Sequence, residues 1–254
     1  MSATSCMMDR RRFLAATASS VLAAVAAAAS TPSEETDLDE LGKFEVARGR
    51  AGIVIGVPHG TADTGTLDLG RALSQRLRAG AVFVTGFWDP KTRQRVNVNR
   101  PTEQLIGPDS QVLREWQSAR AVAANRRYGA LVKEAAQGPL KAFYEMHSNH
   151  KPQFAESIEV STLGVSQGDA RALKAALERA QERLEAGVPR LAVHVSPVDK
   201  VTYPNYRNAS SISAFSGRGC AAEHPGHVLA NHEWRLAYAA CWAEAIEAAP
   251  WDLR

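Results

Sequence analysis

In this 254-residue chain, the residues best suited to chemistry are histidines that end apolar runs. "VPHGTADTG" places His59 just past one such run, with Asp63 four residues later. "YEMHSNHKP" places His147 at the end of another, followed by His150. Imidazole and carboxylate suit zinc, and a catalytic zinc site uses three protein ligands plus a water. The trio that fits is His59, Asp63 and His147, because one turn of chain returns the Asp63 carboxylate beside His59. Asp68 is the other acidic candidate, but it falls in a helical pattern that points it elsewhere. Taken singly, each histidine also reads as a polar residue at a strand end.

A second constellation lies in "QRVNVNRPTE", where valines alternate with Asn97 and Asn99 before Arg100 and Pro101. Asparagine is a poor strand former, so its place here needs a reason. Arg93 and Arg95 lie nearby, and a basic cluster of this kind is ordinarily solvated. A third lies in "GCAAEHPGHVLANHEW". There Glu223 ends a short strand directly before the last helix, His224 and His227 crowd the same place, and Glu233 falls inside the helix. His194 alternates within "LAVHVS" as core or sheet surface, and His232 belongs to the helix. Arg218 in "FSGRG" is a possible second anion contact.

These residues need a scaffold that brings strand ends together. "AGIVIGVP", "GAVFVTGF", "LKAFYEMH", "RLAVHVSP" and "GCAAEHP" read as strands, the first as a buried β-branched run. Helical patterns cover Gly65 to Ala79, "PDSQVLREWQSARAVAANRRYGALVKEAA" with Asp109 or Ser110 as N-cap, and "GDARALKAALERAQERLEAG" ending at Gly187. A last helix runs from about His227 to Ala249. Strands alternating with helices predict an α/β three-layer sandwich with a mostly parallel or mixed central sheet. In such sheets ligands gather at the carboxyl ends of strands.

The N-terminus reads as a leader. Residues 1–30 hold Arg10, Arg11 and Arg12, then Phe13-Leu14 and an alanine-rich apolar run. This order fits a cleaved twin-arginine export signal, engaging the twin-arginine translocase. The run is short and weakly apolar for a stable membrane anchor. The expectation is a periplasmic or secreted protein, with a flexible acidic lead-in over 31–43 and a single domain over 44–254. Losing Asp9 and the three arginines takes the net charge from +3 to +1. A near-neutral chain gives no case for nucleic acid. Cys220 and Cys241 remain, as a disulfide or as two buried thiols.

"VPHG", "VNVNRPTE" and "EMHSNH", in this order, together resemble the N-formylglutamate amidohydrolases, which stand among zinc hydrolases of the carboxypeptidase-like fold. The resemblance spans roughly Ile53 to Trp242. It implies a single zinc held by His59, Asp63 and His147, with Glu145 supporting the ligand histidine. It implies that Asn99 and Arg100 grip the carboxylate of a small acyl-amino acid or short peptide, for which the planar guanidinium fork is suited. It implies that Glu223 is the general base. Two positions depart from the family pattern. The acidic ligand is usual three residues after the first histidine, where this chain has Ala62, and Glu145 stands where aspartate is more usual. No Gly-x-Ser-x-Gly elbow of a serine hydrolase is present.

Overall fold

The computed structural model describes residues 38–108, 111–203 and 215–248. Its frame is a seven-stranded sheet of β1 (Gly42–Ala47), β2 (Arg50–Val57), β3 (Ala79–Gly86), β8 (Ala142–Asn149), β9 (Ser157–Leu163), β10 (Ala192–Val195) and β11 (Gly219–Pro225). The spatial order is β1-β3-β2-β8-β11-β9-β10. The central strands β3, β2, β8 and β11 are parallel, whereas β1 and the β9–β10 pair run against their neighbours. The sheet is therefore mixed. Apolar runs such as Ile53–Val57 have no polar face, because helices cover both sides of the strands.

Helices α1 (Thr66–Leu77), α3 (Gln167–Glu182) and α5 (His232–Ala248) cover one face. Leu69, Leu73, Leu173, Leu177 and Trp242 pack there against Ile55, Tyr144 and Met146. Helix α2 (Ala119–Ala135) covers the other, setting Ala124, Leu131 and Val132 on Val54, Val82 and Phe143. Each buried large side chain contributes about 1.5–3 kcal/mol to holding these layers together. A short helix, α4 (Gly226–Ala230), precedes α5. No helix among the described residues is long and apolar enough to cross a membrane.

A second sheet separates β3 from α2. It is an antiparallel meander of β4 (Trp88–Asp89), β5 (Gln94–Val96), β6 (Thr102–Ile106) and β7 (Val112–Gln117). This corrects the expectation of one helix across 108–136. Val112–Gln117 pairs with β6, and the helix starts only after Ser118, whose hydroxyl accepts the Ala121 N–H at 3.1 Å. Asp109 and Ser110, the expected caps, lie outside the described residues. The cross-strand ladder to β6 decides the segment before Ser118 in favour of a strand.

Smaller corrections follow from local bonding. Helix α3 ends at Glu182 rather than Gly187. The final helix is broken at Asn231, whose side-chain oxygen accepts the Trp234 N–H at 3.1 Å and caps α5. Strands β1 and β9 were not anticipated. The leader lies outside the described residues, and the lead-in gives way earlier than expected, with Leu38 already buried and Gly42 in β1. Cys220 and Cys241 are buried free thiols, and burial raises the pKa of both.

Candidate active site

Strands β2, β8 and β11 are adjacent and parallel, so their carboxyl ends open on one rim. Glu223 pairs across the ladder with His147, and Gly56 with Glu145. The chain leaving β2 at Val57 therefore delivers His59 beside His147, with ring centroids 5.5 Å apart. The next turn is closed by the His59 carbonyl, which accepts the N–H of Ala62 at 2.9 Å and of Asp63 at 2.7 Å. Gly60 N–H donates to the Val84 carbonyl at 2.9 Å and moors the turn to β3. The result places Asp63 Oδ2 3.3 Å from His147 Nδ1 and 3.4 Å from the Ser148 N–H. The loop leaves through Gly65 at φ 74°, where a Cβ would lie 2.1 Å from the Leu229 carbonyl oxygen, so only glycine fits.

His147 is held from its other nitrogen as well. Nε2 lies 3.5 Å from Glu145 Oε2, and the Tyr128 hydroxyl donates to Glu145 Oε1 at 3.2 Å. Residues 145 and 147 share one sheet face by strand alternation, and the longer glutamate side chain reaches back to the ring. Gly56 makes room beneath, since a Cβ there would lie 2.4 Å from the Tyr128 hydroxyl oxygen. Burial lowers the His147 pKa, but the bonds to Asp63 and Glu145 outweigh it and push the value up to about 10. Burial, aided by the Arg95 charge, holds His59 well below the usual imidazole value, so His59 is neutral. Burial raises the Asp63 pKa, yet the His147 bond and nearby imidazoles leave it depressed.

These donors can be tested against a divalent cation. Two ligands of one tetrahedral zinc, each about 2.0–2.1 Å from the metal, stand roughly 3.3–3.4 Å apart. The Asp63–His147 separation of 3.3 Å matches that edge. Glu145 behind the far nitrogen fixes ring orientation in the manner usual for metal-bound histidine. Among the described residues no three His, Cys, Asp or Glu side chains form a ready-made cage. The chain thus fits the group with two donors in place and His59 alongside.

All three candidate ligands line an open cavity of about 690 Å³, together with Asn99, Arg100 and Glu223. Glu223 stands next to His147 on β11 and accepts a 3.5 Å hydrogen bond from Asn149 Nδ2. Burial pushes its carboxyl pKa up to about 7, against the pull of the His147 charge. Arg100 Nη1 lies 3.6 Å from Glu115 Oε1. Asn99 is 8% exposed and its Oδ1 has no partner. Asn97 instead serves the turn, donating from Nδ2 to Thr102 Oγ1 at 3.0 Å. Asp68 pairs with Arg235 at 2.7 Å, away from the cavity. Glu233, His227, His194 and Arg218 are not among the lining residues. His224 is fully buried on the opposite face of β11, so it does not reach an intermediate formed in the cavity.

Sequence reasoning discounted Arg95, which lines the cavity and donates through Nε and Nη2 to Gln104 Oε1 at 3.2 and 2.5 Å. That acceptor is neutral, so the buried guanidinium keeps its charge toward the cavity, and burial lowers its pKa. Alternation was the available signal, since Arg95 and Asn99 are two steps of two apart. Glu159, Lys151 and Tyr203 also line the cavity and were not singled out. Glu159 is brought in by β9, where it pairs with Glu223.

No protein-family model and no curated protein matches this chain. Among solved structures it is similar to the gene product Atu2144 from Agrobacterium tumefaciens, with TM-score 0.52 and 17% identity over 84% of this chain and 95% of that one. It is also similar to a bacteriophage poly-gamma-glutamate hydrolase, with TM-score 0.49 and 13% identity over 82% and 88% of the two chains. A metallo-carboxypeptidase from Burkholderia cenocepacia gives TM-score 0.45 and 13% identity over 84% and 67%. At these identities the likeness is one of fold, an α/β sandwich built on a mixed seven-stranded sheet.

Proposed function

We propose that this protein is a metal-dependent amidohydrolase that cleaves an amide of a small carboxylate-bearing substrate, such as an N-formyl- or N-acyl-glutamate. The observation that carries the reading is the 3.3 Å approach of Asp63 to His147, from loops and strands far apart in sequence. His59, Asp63 and His147 would hold the ion, and the mixed nitrogen and oxygen donor set favours zinc. Such an ion supplies Lewis-acid chemistry, lowering the pKa of a water and polarising the amide carbonyl. Glu223 takes the proton from the attacking water and returns it to the leaving nitrogen. Arg100 and Asn99 bind the substrate carboxylate and orient the amide, and Arg95 adds positive charge on the same wall. The leader over 1–30 supports a periplasmic site of action, reached through the twin-arginine translocase.

The test is zinc stoichiometry of the purified chain, with amine release from N-formylglutamate and from a neutral N-formyl amino acid. One zinc per chain and faster release from the acidic substrate support the reading. A second reading is a binding protein without catalysis, and the absence of a ready-made three-donor cage among the described residues favours it. That reading gains if the chain takes up no zinc at saturation yet still binds N-formylglutamate.

A further inference from the structure

We infer that His224 is a positioning residue: locked in one tautomer by Trp242, its imidazole clamps the main-chain carbonyl of His147 and so sets the place of the metal-binding ring. The inference rests on the hydrolytic reading given above. His224 and Trp242 are both 0% exposed, on the sheet face away from the cavity. Trp242 Nε1 lies 2.7 Å from His224 Nε2, and His224 Nδ1 lies 3.0 Å from the His147 carbonyl oxygen. An indole N–H only donates, so Nε2 must be the acceptor and Nδ1 must carry the proton. That proton points at the His147 carbonyl. The other tautomer would aim the Nε2 proton at the indole N–H and a lone pair at the carbonyl oxygen, losing both bonds.

The clamp acts near the end of the ladder, since Pro225 opposite Asn149 closes the β8–β11 pairing two residues beyond His147. Asp63 and Glu145 grip the His147 ring from its two nitrogens, which sets how the ring is turned. The imidazole of His224 grips the backbone from the other side of the sheet, which sets where the ring starts. Because His224 follows Glu223 directly, the same bond ties the base and the ligand histidine to helix α5. Partners of this kind behind a ligand typically matter 10–100-fold in metal affinity, by the order of magnitude seen elsewhere.

Two measurements on the full chain test this. The first is the nitrogen-15 side-chain spectrum of the wild type, which reports the His224 tautomer with no need of metal or activity. Protonation at Nδ1 is expected, and protonation at Nε2 overturns the inference. The second is zinc affinity, by competition with a chelator, for Trp242→Phe and for Tyr238→Phe. Tyr238 sits on the same helix, with its hydroxyl oxygen 3.0 Å from Gln181 Oε1 and 2.8 Å from the Pro189 carbonyl oxygen instead, so its loss reports a general disturbance of the helix. The expected result is zinc binding about 10-fold weaker in Trp242→Phe and unchanged in Tyr238→Phe. Equal affinities in both variants, or equal losses, overturn the clamp. If the wild type binds no zinc, the hydrolytic reading fails, while the tautomer spectrum still decides whether the clamp exists.

Discussion

In the seven-stranded sheet, the side chains facing the cavity hang from strand ends enclosed by helices on both faces; in the four-stranded sheet, they hang from a meander whose last strand is exposed. Strand β8 is buried from Ala142 to Ser148, while in β7 Val112 and Leu113 are 47% and 55% exposed. The large sheet contributes His147, Glu145 and Glu223, and the loop after β2 contributes His59 and Asp63. The small sheet and its turns contribute Arg95, Asn99 and Arg100. Under the proposed function, the groups that would meet the ion sit on buried strands or on the loop that leaves one, and the groups that would meet a carboxylate sit on the more exposed sheet. On that same reading, the comparison divides reaction chemistry from substrate choice between the two sheets.

The largest expected effect is from His147→Ala, which removes the residue that the whole donor set surrounds. Zinc stoichiometry should fall to zero and amide hydrolysis with it; a variant that keeps full zinc would separate the metal from the large sheet. Next, Glu223→Gln should keep zinc while turnover drops by about 10²–10⁴, the usual share of a positioned acid–base group. Retained turnover there would move the base elsewhere.

A pH effect of comparable size belongs to the large sheet alone. Burial holds the His224 pKa down to about 4, against about 6.5 when unfolded. The fold therefore favours the neutral ring. Its contribution is complete above about pH 6.5 and is lost as pH falls toward 4, by an amount on the order of 3 kcal/mol. Urea unfolding of the metal-free chain at pH 7 and pH 4 measures it. His224→Gln should be the less stable chain at pH 7, and the gap should close at pH 4; a gap independent of pH contradicts the buried neutral ring.

Smaller effects belong to the small sheet. Arg100→Ala should raise KM for carboxylate-bearing substrates by about 10–100-fold, matching one charged hydrogen-bonded contact of about 1.5–3 kcal/mol, with zinc content unchanged. An equal rise for neutral substrates would deny Arg100 its selective role and blur the division between the sheets. Leu113→Ala, on the exposed strand, should shift stability by less than about 0.5 kcal/mol in urea unfolding.

The same division governs what could be read from sequence. Strands buried on both faces are short apolar runs, and "AGIVIGVP", "LKAFYEMH" and "GCAAEHP" were legible as such, with the histidines and Glu223 at their ends. Of the small sheet, only the alternation around Val96 was legible. Its strands are short and polar, and "VLREWQ" precedes a strong helical pattern that absorbed it. Strand β9 carries Ser157, Ser161 and Thr162 buried among partners from other segments, notably Ser196, so its polarity hid a core strand. Arg95 looked like a solvated surface charge because only the fold brings Gln104 opposite it. The role of Trp242 had no signal at all, since a tryptophan in a core helix reads as bulk.

The double bonding of the His59 carbonyl, which receives both Ala62 and Asp63, bears on how such proteins are sought. It sets the carboxylate four residues after His59 and still 3.3 Å from the His147 ring, so a search pattern that allows an interval of three alone would pass over this chain.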